Sequence, residues 1–83
     1  GDYAAARPLH ERALAIREQA LGPDEPDTAT SLNNLAYLLR AQGDYAAARP
    51  LYERALAIME KSAGPDHPNT RVVRENLEAL NAA

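Results

Sequence analysis

Cysteine, tryptophan and phenylalanine are absent from this chain. Without cysteine there is neither a disulfide framework nor a Cys-based metal site. Four tyrosines are the only aromatic residues, so any core must be built from aliphatic side chains and alanine. Basic residues are fewer than acidic ones, 9 against 12, for a net charge of −3. That balance gives no basic footprint for nucleic acid and no polybasic anchor for a membrane. No apolar run approaches the roughly 20 residues needed to span a bilayer. No export signal is evident either, and a cytoplasmic location is the expectation that follows. Two histidines, His10 and His67, lie far apart in sequence, and no H-E-x-x-H, phosphate-loop or dinucleotide-binding motif occurs. Ser31 and Ser62 lack a nearby base. The chain is therefore expected to be non-enzymatic, with no metal and no cofactor.

What the chain does contain is a repeat. Gly43–Ile58, GDYAAARPLYERALAI, nearly copies Gly1–Ile16, GDYAAARPLHERALAI, and only Tyr52 against His10 differs. The period is 43 − 1 = 42 residues, in the range of stacked helical repeats. Alanine, leucine, glutamate and arginine dominate, which favours helix over sheet. At 83 residues the chain suits one small domain, residues 1–83, with a thin core, since folding at this size buries only about 60% of the unfolded surface.

Four helices are predicted, over residues 3–20, 26–41, 45–62 and 68–82. In the first, Tyr3, Ala6, Leu9, Ala13, Ile16 and Ala20 recur at spacings of three and four, with Asp2 as the cap. Leu21-Gly22-Pro23 stops it: Gly22 can take the left-handed closing conformation and Pro23 blocks continuation. Pro26 opens the second helix, where its missing N–H is harmless. Leu32, Leu35, Ala36 and Leu39 are its apolar stripe, widened by Leu38. Gly43 closes it and Asp44 caps the third, whose stripe is Tyr45, Ala48, Leu51, Tyr52, Ala55 and Ile58. So short a connection makes these two helices antiparallel neighbours. Pro8 and Pro50 fall inside the first and third helices, where a bend is expected. Arg49 and Glu53 are spaced as a surface ion pair.

The stripe Leu32-x2-Leu35-Ala36-x2-Leu39, followed by Ala48-x3-Tyr52 and Ala55, resembles the tetratricopeptide repeat pattern W-x2-L-G-x2-Y, A-x3-F, A. The GPDxP loops and the run SLNNLA resemble the longer, 42-residue variety found in kinesin light chains. The resemblance covers essentially the whole chain. It implies an all-α, right-handed α-solenoid of antiparallel helix pairs, with A helices lining a concave face and B helices outside. This chain then runs B–A–B–A. The family's geometry puts Thr30, Asn33, Asn34, Tyr37 and Ala41 of the second helix in the groove, with Val72, Glu75, Asn76 and Ala79 of the fourth. Thr30, Asn33, Asn34, Tyr37 and Asn76 are the candidate peptide-binding residues. An amide both donates and accepts, so it can read a peptide bond. Bridging between neighbouring helices is the other reading of Asn34 and Asn76. No Lys or Arg is among these positions, so a grip on an acidic C-terminal tail is not expected.

The resemblance implies a protein or peptide partner bound on the concave face. A self-assembling or engineered consensus element with a structural role is the alternative, and a nucleic-acid-binding repeat, opposed by the acidic balance, is the remoter one. The ends of the array differ. Against the second helix, the fourth has Arg74 for Leu32, Glu78 for Ala36 and Asn81 for Leu39, as a water-facing solenoid end requires. The first helix keeps its apolar residues. Leu9, Ala13 and Ile16 are therefore expected to be exposed and to support self-association, through a homodimer on this helix or an exchange of helices. In a longer array, an upstream helix would cover them.

Overall fold

The computed structural model describes residues 3–22 and 24–82. Four α-helices follow one another: α1 (Tyr3–Leu21), α2 (Pro26–Ala41), α3 (Tyr45–Ser62) and α4 (Pro68–Ala82). The expected cap Asp2 and the expected stop Pro23 lie outside the described residues.

Each helix boundary has a local cause. Asp44 Oδ1 accepts from the Ala47 backbone N–H at 3.2 Å and so caps α3. Gly43 sits at φ +85°, a conformation that only glycine adopts without strain. There its N–H donates to the Arg40 carbonyl at 2.9 Å, and the Asp44 N–H reaches back to Leu39 at 2.8 Å. These are the two bonds of a Schellman motif, and they fold α3 back beside α2. At the other loop the His67 ring takes the capping role: its Nδ1 accepts from the Asn69 N–H at 3.1 Å. His67 is therefore more than the solvated turn residue its loop position suggests. Pro26 and Pro68 each occupy a first helical position.

The molecule measures 33 × 33 × 18 Å, and 18 Å matches two helix layers at the usual 8–10 Å interaxial spacing. Consecutive helices pack on one another across the layers, most extensively α2 on α3, and α2 also touches α4 within its own layer. In the other layer Arg54 of α3 forms an ion pair with Glu18 of α1 at 2.7 Å.

The core follows the α2 stripe. Leu32 and Ala36 are wholly buried, and Leu35, Leu38 and Leu39 nearly so. They pack with Ala48, Tyr52, Ala55 and Ile58 of α3 and with Val73 and Leu80 of α4, in two adjoining clusters. Ala36 and Ala48 belong to one cluster with no exposed surface, which fits a close crossing of small residues. α3 runs unbroken through Pro50, and α1 through Pro8.

Three expectations are corrected. α1 meets α2 through Ala6 and Leu14, and Leu14, outside the expected stripe, packs against both clusters. The reason is that α1 has one neighbour to cover, so the face toward α2 is set by that contact and not by the centre of its apolar arc. Tyr45, at the first residue of α3, is 39% exposed and not part of the core. Arg49 does not pair with Glu53 but donates from Nε to Asn81 Oδ1 at 2.8 Å. That bond arises because α4 lies across α3 at this height.

Two further anchors are buried threonines one period apart. The Thr28 hydroxyl donates to the Gly22 carbonyl at 2.8 Å, and the Thr70 hydroxyl to the Met59 carbonyl at 3.3 Å. Both sit in the first turn of an even-numbered helix and tie it to the end of the helix before. Nothing in the apolar pattern singled them out.

Candidate functional site

α2 carries a second stripe. Thr30, Asn33, Asn34, Tyr37 and Ala41 fall at spacings of three, one, three and four, so they share the side opposite its buried leucines. On α4 Val72, Glu75, Asn76 and Ala79 repeat the arrangement. The structure leaves Thr30, Asn34, Ala41, Val72, Glu75 and Ala79 exposed and Asn33 and Asn76 half-buried. Tyr37 is 59% exposed, its ring on the surface of an otherwise leucine-packed helix.

These side chains do not all stand free. Asn76 Nδ2 donates to Asn33 Oδ1 at 3.1 Å, an amide bridge across the α2–α4 seam. The bridging role therefore falls to Asn76, and its partner is Asn33 rather than Asn34. Each amide has capacity beyond that one bond: a nitrogen on Asn33 and an oxygen on Asn76. The Thr30 hydroxyl donates to the Pro26 carbonyl of its own helix at 3.2 Å, which leaves its oxygen able to accept.

Shallow hollows line this side among the described residues. One, of about 230 Å³, lies between the N-terminal halves of α2 and α4, with Thr30, Asn33, Asn69 and Val72 on its walls and Met59 among its apolar lining. A second, of about 320 Å³, lies between α1 and α2 and is lined by His10, Asn33, Asn34, Tyr37 and Leu38. The third, of about 270 Å³, holds Tyr37, Arg40, Ala41 and Tyr45. Tyr37 borders two of the three, so its ring is the partition between them.

Asn69, His10 and Arg40 were not among the sequence-based groove positions. Asn69 could have been found from its place three residues, about one turn, before the groove residue Val72. His10 was visible as the one difference between the two copies. Arg40 brings a cation to a surface expected to have none; it lines the third hollow together with Tyr45, which the α2–α3 turn brings there.

The one marked pKa perturbation lies beneath this surface. Tyr52 is wholly buried, and its desolvation pushes the phenol pKa up, more than the nearby Arg40 guanidinium pulls it down. Its hydroxyl has no hydrogen-bond partner of good geometry. Ser62 donates to the Ile58 carbonyl at 2.8 Å, a tie to the backbone of its own helix. Among the described residues no three His, Cys, Asp or Glu side chains group as a metal site, and no helix is long and apolar enough to cross a membrane. What this side offers is amides, a flat ring and a shallow apolar floor.

A tetratricopeptide repeat family model matches residues 1–61 and, overlapping them, residues 32–83. No curated protein matches the chain.

Proposed function

Since the chain belongs to the tetratricopeptide repeat family, whose members serve as protein–protein interaction modules, we propose that it binds an extended peptide along the α2–α4 side. The observation that carries this reading is the Asn33–Asn76 amide pair, half-buried and flanked by the exposed Tyr37 ring. The bond between the amides fixes their planes in advance, so less side-chain freedom is lost on binding. Their remaining donor and acceptor are the two groups needed to satisfy one peptide unit. Asn34 and Thr30 add further polar contacts on either side. Tyr37 supplies a rigid anchor, the residue type in which binding energy concentrates. The groove reads backbone more than charge, with Glu75 and Arg40 as its ionised neighbours. The 42-residue period and the GPDxP loops favour the longer, kinesin-light-chain-like variety of the family.

Selection from a display library of unstructured peptides tests the proposal. Selected peptides should shift the amide resonances of Thr30, Asn34, Tyr37 and Val72. Tyr37→Ala should weaken them at least about tenfold, on the scale of a binding hot spot. An exposed site permits that change with a stability loss within about 0.5 kcal/mol. Peptides that shift only the α3 surface around Glu53, or that bind Tyr37→Ala undiminished, would contradict it.

A further inference from the structure

Among the described residues four arginines are half-buried: Arg7, Arg40, Arg54 and Arg74. Three of them meet a carboxylate. Arg7 lies 3.8 Å from Glu11, Arg54 2.7 Å from Glu18 and Arg74 3.4 Å from Glu60. Arg40 meets none among the described residues. The acid nearest to it in sequence, Asp44, is engaged elsewhere. Its Oδ1 accepts from the Ala47 N–H, and its Oδ2 lies 4.0 Å from Arg7. Beneath Arg40 lies the Tyr52 phenol, which feels the guanidinium charge but is itself uncharged at neutral pH. A cation drawn partly out of water without an anion loses hydration and gains no ion pair in return.

The surroundings of Arg40 are those of a small site. It lines the hollow of about 270 Å³ together with Tyr37, Ala41 and Tyr45, and both rings are exposed. The repeat does not need this set for packing. One period downstream, Tyr37 and Arg40 become Ala79 and Ala82, and α4 still forms and packs on α3. Arg40 also stands in the last turn of α2, where a cation complements the helix dipole. That role needs a charge but neither the rings nor the hollow.

Asn33, Tyr37 and Arg40 stand at i, i+4 and i+7, so they share one face of α2. Asn33 and Arg40 are separated along the helix by about 10 Å, which an extended chain covers in about three residues. We infer that the hollow is a carboxylate subsite of the groove. The inference rests on the peptide reading above and narrows it: the bound peptide carries an aspartate or glutamate about three residues from the unit held by Asn33 and Asn76. The carboxylate pairs with Arg40, whose planar fork suits a two-point contact, and the methylene stem lies against Tyr37 and Tyr45. The acid belongs to a side chain and not to the chain end. An apolar stem suits two rings, whereas a terminal residue would bring its own peptide N–H and C=O against them. Glu75, in register with Asn33 one period on, repels an acid at the other end and so keeps it at Arg40.

The test repeats the display selection on wild type and on Arg40→Gln, with the selected peptides then synthesised with amidated C-termini. Wild-type binders should carry Asp or Glu at one fixed position, and the Arg40→Gln selection should lose that preference. Replacing the acid by its amide should weaken binding to wild type about tenfold, with little further effect on Arg40→Gln. Arg40→Glu should turn the preference at that position to Lys or Arg, which a purely structural arginine would not do. Arg40→Lys keeps the charge at the end of α2 and should retain the acidic preference in weaker form. Urea unfolding of each variant confirms that it is folded. Peptides that shift Thr30, Asn34 and Tyr37 but show no acidic preference, or that bind Arg40→Gln undiminished, overturn the inference and leave the groove reading standing. Binding that needs a free C-terminus assigns the anion to the chain end and overturns it as well. If no peptide shifts that side of the molecule, the groove reading fails and the subsite with it.

Discussion

Tyr52 separates what a side chain contributes by filling space from what its polar atom does. The ring is wholly buried in the cluster with Ala36, Ala48 and Leu80. Truncation to alanine should cost about 3–5 kcal/mol, the usual range for a large buried aromatic. That is most of the stability of a small domain, which lies near the low end of roughly 5–15 kcal/mol. The hydroxyl has no hydrogen bond of good geometry, and the Arg40 guanidinium acts on it only by charge and a weak contact; a buried unsatisfied group is unfavourable by about 1–3 kcal/mol, less whatever Arg40 returns. Tyr52→Phe should therefore leave stability unchanged or raise it by up to about 1 kcal/mol.

The same burial sets a pH dependence. The phenol pKa in the folded chain is raised by desolvation. The stabilisation is thus fully present below the unfolded value near 10 and is lost as pH rises through the folded one, because the unfolded chain releases the proton first. Urea unfolding followed by far-UV circular dichroism, repeated from about pH 8 to about pH 11, reads both effects. Wild type should weaken at the alkaline end, and Tyr52→Phe should lack that part of the decline. A loss above about 1.5 kcal/mol for Tyr52→Phe would show that the hydroxyl is bonded after all and refute the reasoning.

Enlarging Ala48 to leucine should overpack the α2–α3 crossing and lower stability by about 1–3 kcal/mol; an unmoved urea midpoint would remove the basis for that crossing. Asp44→Ala removes the carboxylate that accepts from Ala47 and should lower the unfolding free energy by about 1 kcal/mol; a glycine there should lose less. Pro50 lies within α3, so Pro50→Ala should restore a hydrogen bond to the Ala46 carbonyl and raise stability by about 1 kcal/mol, or leave it level if the bend aids stacking. A fall in the thermal midpoint would count against a helix continuous through residue 50.

The sequence by itself determined the helices and their order. Pro26 and Pro68, each just after a Gly-Pro-Asp loop, suit the first position of a helix, Gly43 can close one where φ must be positive, and Asp44 can cap the next. These are properties of single residues and their immediate neighbours, so they survive any tertiary arrangement. The α2 leucines were legible for a similar reason: a helix enclosed on both sides shows its core in its periodicity. Exposure of Leu9, Ala13 and Ile16 followed from comparing copies. The tertiary structure alone decided which partner each polar side chain takes. Asn76 meets Asn33 and not Asn34, Arg49 reaches Asn81 rather than Glu53, and Thr28 and Thr70 turn inward to backbone carbonyls. It also chose Leu14 over the centre of the α1 stripe. Periodicity fixes a direction around one helix axis, but a hydrogen bond about 3 Å long depends on the spacing and crossing of two. A chain read one helix at a time contains the first quantity and not the second.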